Sequence, residues 1–177
     1  MGSVSEFVQN MDWWGLIALL LTAVAALLCI TVHELCHGLA AYRLGDPTAK
    51  NAGRLTLNPL RHLDFLGLIM MLVVKVGWAK PVPIDMRNFR NPKRGMALTA
   101  LAGPASNFLI SLVSVGICSA IFHFAVVSKV SLLLLSFFAN LALLGTGMGL
   151  FNLIPISPLD GSKAVSYTHL DVYKRQV

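Results

Sequence analysis

The sequence predicts an all-α polytopic membrane protein with three long transmembrane helices. Of its 177 residues, 56% are hydrophobic and only 12% are charged, and the mean hydropathy is +0.72. This balance is typical of a membrane protein rather than of a soluble domain. Three apolar segments are long enough to cross a bilayer. Ten of the 14 Lys and Arg residues lie between Arg43 and Arg94, and such clusters favour the cytoplasmic side of a membrane rather than nucleic-acid binding.

The first long helix is predicted from Trp13 to Leu44. Residues 1–12 form a polar segment without the basic start of a signal peptide, so the apolar run that follows indicates a retained membrane helix. No formal charge occurs between Trp13 and Val32. The turn-forming residues Gly45-Asp46-Pro47 then end the helix.

A basic loop with a small β-hairpin-like element is predicted after this helix. Arg54–Asn58 alternates polar and apolar residues, as a half-buried strand does. Its edge could bind an extended peptide, and a plain hairpin covering the site is an equal alternative. Phe65–Val76 is apolar but short for a span. It is predicted to be a re-entrant or spanning segment, and the basic loops on both sides of it favour re-entry.

Two further long apolar stretches, Met96–Val127 and Val130–Ile154, predict the second and third helices. Gly103-Pro104 is expected to break the first of them early, and Pro155 and Pro158 to open the end of the other. Freed backbone carbonyls are tolerated at membrane depth only where protein or a cavity covers them. If the first helix runs inward, all these breaks come to the depth of His33, beside the basic loops.

The stretch His33-Glu34-Leu35-Cys36-His37 is the strongest functional signal. Residues four apart on a helix project from one face, so His33 and His37 can share one metal ion. Zinc suits two imidazoles, and Glu34 could take a proton from a zinc-bound water. The alternative is a chance match, but an ionisable residue at membrane depth indicates a functional site.

A catalytic zinc site usually has three protein ligands, and Asp160 is the candidate for the third. It is the only acidic residue between Asp85 and the tail, although it could instead be a helix N-cap. Asn152 is either a helix-end cap or a donor to a substrate carbonyl. The three cysteines lie in apolar segments and are expected to be buried thiols. Cys36 is a ligand by type, but its position favours packing.

These motifs together resemble those of a known family. The sequence is similar to the site-2 protease family of intramembrane zinc metalloproteases, in the small prokaryotic branch without a PDZ domain. The resemblance covers residues 14–164 and rests on the HExxH stretch, on Gly103-Pro104-Ala105-Ser106-Asn107, and on Asn152 through Asp160-Gly161. The branch carries further stretches like those at 44–49, 53–59 and 77–83. Cys36 departs from the small residue that is usual at its position.

The resemblance implies a fold, a cofactor and a reaction. It implies one Zn²⁺ held by His33, His37 and Asp160, with Glu34 as general base and Asn152 orienting the substrate. The implied substrate is a membrane protein, cleaved in or near a transmembrane segment, with the active site toward the cytoplasmic side of the cell membrane. Two other classes stay open: a non-catalytic scaffold with a structural metal site, and a metal transporter. Neither the oligomeric state nor the physiological substrate can be predicted.

The segment after Ala164 differs abruptly from the rest. Residues 165–176 can be back-translated into a nearly self-complementary DNA string that resembles joined transposon ends from sequencing libraries. We therefore predict a protease core over residues 13–164, followed by a non-native tail, and do not count His169 or Asp171 as ligands. Because only Gly161–Ala164 support Asp160, the chain as written is expected to bind zinc weakly and to have little activity.

Overall fold

The computed structural model describes residues 12–64, 67 and 79–173, and the side chains of the last helix as far as Ser166. About 75% of the structure is helical. Three helices are long and apolar enough to cross a membrane: α1 (Trp13–Arg43), α3 (Pro92–Phe124) and α4 (Lys129–Leu153). There are two shorter helices: α2 (Thr48–Asn51) follows α1 in the chain, and α5 (Asp160–Tyr173) follows α4. Two 3₁₀ turns, Pro59–Arg61 and Met86–Asn88, complete the described elements.

Side-chain caps define where the long helices begin. The Asp12 carboxylate accepts a hydrogen bond from the Gly15 N–H at 3.0 Å at the start of α1. Asn91 does the same for the N–H of Arg94 at 3.1 Å at the start of α3, and Ser128 and Ser131 form a capping box at the start of α4. Such caps satisfy N–H groups that have no partner inside the helix. The three predicted long helices are therefore confirmed, with ends within four residues of the expected ones.

Helix α3 lies at the centre of the bundle and packs against α1, α4 and α5. The residues it buries are mostly small or polar, among them Ala97, Gly103, Ser111 and Ser114. Where α3 meets α4, a Cβ on Gly145 would lie 2.5 Å from the Ser111 hydroxyl. Small residues let membrane helices approach closely, and this close contact replaces the hydrophobic driving force that lipid cannot supply. Large side chains such as Leu109, Leu112, Leu143 and Leu150 are exposed on the outside.

Two predictions about local structure are wrong. Gly103-Pro104 does not break its helix, since α3 is continuous through both residues. Proline removes only one backbone hydrogen bond, and neighbouring helices hold the rest of the chain in place. The predicted break near Pro155 and Pro158 is present, because α4 ends at Leu153 and α5 begins at Asp160.

The predicted β-hairpin-like element at Arg54–Asn58 is also wrong. Local turn bonds use the N–H groups that a strand would offer: Arg54 donates to the Ala49 carbonyl at 2.9 Å and Thr56 to the Arg54 carbonyl at 3.0 Å. The Asn58 N–H donates to the Thr56 hydroxyl at 3.1 Å. In the part of the chain that the structure describes, β pairing is limited to one isolated antiparallel bridge, between Leu63 and Ala79.

That bridge brings together the two residues that flank the short apolar segment. The Lys80 N–H also donates to the His62 carbonyl at 2.9 Å. Both basic loops therefore lie at the same end of the bundle. The segment Phe65–Val76 itself, apart from Gly67, lies outside the described residues, so its re-entry stays a prediction.

Helix α5 continues from Asp160 to Tyr173 and packs against α3 and α4. It therefore extends past Ala164 into the segment predicted to be non-native. The conformation of the backbone has no bearing on the origin of that sequence, which stays a prediction.

Candidate metal centre

Three side chains from two distant parts of the chain meet at one point. The Nε2 atoms of His33 and His37 lie 3.0 Å apart, and each lies 3.0 Å from Oδ2 of Asp160. These side chains form the one group among the described residues with the composition and spacing to hold a metal ion. They are only 5%, 6% and 8% exposed. The structure thus brings together the three residues predicted to be metal ligands.

The protonation of His37 shows why a cation fits this position. Its Nδ1 lies 2.7 Å from the Thr99 carbonyl oxygen, which can only accept, so Nδ1 must carry a proton. In the neutral ring, Nε2 then has a bare lone pair, and it faces the Asp160 carboxylate, a second acceptor. Two acceptors facing each other at 3.0 Å need a positive charge between them. Zinc, which binds imidazole nitrogen and carboxylate oxygen at about 2.0–2.2 Å, fits this donor set.

Asn107 supports the other histidine from the opposite side. Its amide lies 3.0 Å from Nδ1 of His33, and the side chain is fully buried. The structure places the amide nitrogen toward Nδ1, but a 180° rotation of the amide exchanges nitrogen and oxygen without moving any other residue. With the nitrogen toward His33, the amide oxygen is a buried acceptor without a partner among the described residues. With the oxygen there, it accepts a hydrogen bond from Nδ1–H, and Nε2 is left free for a metal ion, which is the usual arrangement around a metal-ligating histidine.

Gly103 gives the two imidazoles their space. A Cβ at this position of α3 would lie 2.5 Å from Cε1 and Nε2 of His37 and 2.6 Å from Nε2 of His33. No side chain larger than hydrogen fits there unless the rings move. The motif Gly103–Asn107 therefore supplies two distinct requirements of the site, namely close approach of the α3 backbone and a polar contact to His33.

Glu34 lies beside the three possible ligands but is not one of them. It lines a cavity of about 40 Å³ together with His37, Asp160 and Lys163, which is enough room for water. Its Oε2 accepts a hydrogen bond from the Val82 N–H at 3.0 Å. The arrangement places a carboxylate at a small water-sized cavity next to the metal position, as a general base requires.

The segment over Glu34 is held by a buried arginine. The Arg54 guanidinium donates to the carbonyl oxygens of Lys80 and Pro81, the latter at 3.3 Å. Arg54 is 7% exposed. A planar guanidinium that contacts two successive carbonyls restricts the backbone between them, and the next residue is Val82, whose N–H reaches Glu34. Arg54 therefore positions the segment that contacts the candidate base.

Asp160 is fixed by the first turn of α5. A Cβ on Gly161 would lie 2.2 Å from the Leu153 carbonyl oxygen, so this turn packs directly on the end of α4. The Lys163 ammonium lies 3.3 Å from Oδ1 of Asp160. This nearby positive charge favours the ionised form of the Asp160 carboxyl. The group is therefore a carboxylate, the form that binds metal.

Asn152 is not brought to this group. Its amide donates to the Met148 carbonyl of its own helix at 3.0 Å, and its role stays a prediction. Cys36 is likewise outside the metal-binding group. Sequence reasoning missed Thr99, Arg54, Val82 and Lys163 as parts of the site. Thr99 and Val82 act through backbone atoms, which leave no signal in the residue type. Asn107 belongs to a motif that carries the family resemblance, but its residue type and spacing assign it no role.

Comparison with known proteins finds relatives that are named as zinc metalloproteases. The chain is 38% identical over 144 residues to "Putative zinc metalloprotease YwhC" of Bacillus subtilis, an alignment that covers 80% of this chain and 66% of that protein. The chain belongs to the site-2 protease family. Another family member, "Putative zinc metalloprotease Rip2" of Mycolicibacterium smegmatis, is 28% identical over 169 residues, covering 91% of this chain and 61% of that protein. Rip2 of Mycobacterium tuberculosis is 27% identical over 164 residues.

The assignment to the site-2 protease family rests on these relatives. No family model matches the chain, and no solved structure matches it significantly. The chain spans 66% of YwhC and 61% of the Rip2 proteins.

Proposed function

We propose that the protein is an intramembrane zinc endopeptidase that hydrolyses peptide bonds in or near transmembrane segments of other membrane proteins. The observation that carries this proposal is the position of Glu34, which lines a water-sized cavity with His37 and Asp160. A purely structural metal site has no use for a carboxylate next to its ligands. The three long apolar helices support a location in the membrane.

In this proposal His33, His37 and Asp160 hold one zinc ion per chain. Zinc would act as a Lewis acid and lower the pKa of a bound water. Thr99 and Asn107 hold the two imidazoles with Nε2 toward the metal. Gly103 keeps the space that the rings occupy, and the first turn of α5 holds the Asp160 carboxylate.

Glu34 then accepts a proton from the attacking water and later returns it to the leaving amine. Its present hydrogen bond from the Val82 N–H uses only Oε2. The described residues make no hydrogen bond to Oε1, so this oxygen is available for the proton. Asn152 is proposed to orient the substrate carbonyl. Because its amide now donates to Met148, it must turn away from its own helix to do so.

The active site is proposed to open toward the cytoplasm. Ten of the 14 basic residues lie between Arg43 and Arg94, and the two basic loops share one end of the bundle with the cavity beside Glu34. The positive-inside rule places that end on the cytoplasmic side. Arg54 and Arg90 are then accessible from the same side of the membrane.

Co-expression with a library of single-span membrane proteins tests the proposal. We expect cleavage products with a protein whose native C-terminus is restored after Ala164 and none with its Glu34→Gln variant, while both proteins contain the same amount of zinc. Equal zinc content separates the loss of a base from the loss of the metal site. Cleavage that is unchanged in Glu34→Gln would contradict the mechanism, and full zinc content without any cleaved protein would favour a scaffold.

A further inference from the structure

A second cavity lies at the end of the bundle that carries the basic loops. It has a volume of about 460 Å³ and is formed by the end of α1, the loop before α3 and the first turns of α3. Arg43, Arg90 and Arg94 line it together with Phe89 and Leu98. None of these residues belongs to the proposed active site.

The charge of this cavity is uncompensated. Its lining contains three arginines and no carboxylate. The side chains of Arg43, Arg90 and Arg94 make no ion pair or hydrogen bond with the part of the chain that the structure describes. By contrast, Arg87 is paired with Asp85 at 2.7 Å. Like charges around one cavity repel one another, so an anion that binds all three is favoured.

The floor of the cavity is packed rather than open. Phe89 is 4% exposed, and a Cβ on Gly95 would lie 2.5 Å from the Phe89 ring. The ring therefore lies directly on the backbone of α3. Gly45, which also lines the cavity, has φ +107°, a conformation that residues with a side chain rarely adopt, and it lets the chain turn at the end of α1. The cavity is thus a defined feature of the fold.

An apolar surface continues from the cavity along α3. Leu98 and Leu101 follow Arg94 by four and seven residues, so all three project from one face of the helix. The two leucines are 54% and 41% exposed. A ligand for this surface has an anionic group at one end and a hydrocarbon chain at the other. Guanidinium groups match phosphate oxygens in geometry as well as in charge.

We propose that this cavity binds the phosphate headgroup of an anionic phospholipid, with an acyl chain along Leu98 and Leu101. The three arginines hold the phosphate, and Phe89 closes the cavity beneath it. A free phosphate could satisfy the arginines, but it would leave the leucine surface without a role. Anionic lipid is thus the ligand that uses both parts of the site.

Native mass spectrometry of the purified chain in mixed phosphatidylglycerol and phosphatidylcholine tests the proposal. We expect retention of one phosphatidylglycerol in preference to phosphatidylcholine. Arg43→Gln/Arg94→Gln should reduce this retention about tenfold or more, since removing one charge-assisted hydrogen bond lowers the affinity by about a factor of ten. Lys50→Gln/Arg61→Gln is the matched control, because it removes two exposed positive charges from the same end of the protein without changing the cavity lining.

Zinc content should be the same in both double variants, which shows that the fold is intact. Equal loss of phosphatidylglycerol in the two variants would overturn the proposal, since nonspecific attraction to a basic surface would then explain the binding. Displacement of the lipid by inorganic phosphate at an equal concentration would overturn the assignment to a lipid.

Discussion

The Nδ1 atom of His37 lies 2.7 Å from the carbonyl oxygen of Thr99, on the neighbouring helix. This contact fixes the proton on Nδ1 and turns Nε2 toward His33 and Asp160. A helix carbonyl has two lone pairs, so the Thr99 oxygen can accept this bond in addition to its usual backbone bond. The metal centre therefore depends on a residue whose side chain takes no part in it.

The zinc ligands give the most direct prediction. We expect about one zinc per chain in a protein whose native C-terminus is restored after Ala164, and little or none in the His33→Ala or Asp160→Ala variant of that protein, because two remaining ligands do not make a stable zinc site. Elemental analysis measures the content. His123→Ala, which removes an exposed histidine far along α3, should keep full zinc. Full retention in both ligand variants would refute the assignment.

Asn107 should control zinc affinity without binding the metal. Asn107→Ala removes the contact to Nδ1 of His33 and is expected to weaken zinc binding about 10- to 100-fold. The zinc affinity of Asn107→Asp should be at least as high as that of Asn107→Ala and closer to that of the wild type, because a carboxylate also accepts a hydrogen bond from Nδ1–H of His33. Competition with a chromophoric chelator measures both affinities. Asn140→Ala on α4 is the control, and an equal loss there would point to a general effect on folding.

Gly103→Ala should disrupt the site through space alone. The added Cβ would lie 2.5 Å from the His37 ring, so we expect loss of most of the zinc and a lower unfolding temperature. On the same helix, a Cβ at Gly116 meets nothing within 4 Å. Gly116→Ala should therefore keep full zinc and be neutral or stabilising by up to about 1 kcal/mol. Similar behaviour of the two variants in metal analysis and thermal unfolding would contradict the packing argument.

Arg54 should affect the segment over Glu34 and leave the metal in place. In Arg54→Met the carbonyls of Lys80 and Pro81 lose their buried donor, so the hydrogen bond from the Val82 N–H to Glu34 should open more often. Hydrogen exchange at the Val82 amide is expected to become faster, with zinc content unchanged. Arg61→Met, at an exposed arginine outside this contact, provides the comparison. Unchanged exchange at Val82 would exclude a positioning role for Arg54.

Asp46 should contribute to stability in a pH-dependent way. It is fully buried, and its carboxylate accepts from the Asp85 N–H and the Asn88 amide, each at 2.8 Å. Burial by itself raises the pKa of Asp46, but hydrogen bonds from Thr48, Asn88 and the Asp85 backbone bring it below its ordinary value. Asp46→Asn is expected to destabilise the protein by about 1–3 kcal/mol at neutral pH.

The lowered pKa of Asp46 determines how its contribution to stability changes with pH. The stabilisation is complete above the pKa of the unfolded chain, about 3.9, and is lost as the pH falls through the lower pKa of the folded protein. The difference in unfolding temperature between wild type and Asp46→Asn should thus be constant from pH 7 to about 5 and shrink below about pH 4. A difference that grows on acidification would show that the carboxylate is not the stabilising form.

The three long helices and the pairing of His33 with His37 could both be predicted from the sequence. Both are local properties. An uninterrupted apolar run satisfies its backbone hydrogen bonds inside one helix wherever that helix lies, and a spacing of four residues places two side chains on one face. Asp160 could be predicted only because few acidic residues were available, and the structure brings it to within 3.0 Å of both histidines.

The remainder of the site depends on contacts between distant parts of the chain. Thr99 and Val82 contribute a backbone oxygen and a backbone N–H, which every residue type except proline could supply, so no pattern marks them. Gly103-Pro104 was expected to break its helix, yet there the glycine leaves room for two imidazoles. Arg54–Asn58 had the alternation of a strand, but its N–H groups are used in local turns. Periodicity records which side chains can share a face, whereas the contacts that orient the ligands depend on where one helix backbone meets the next.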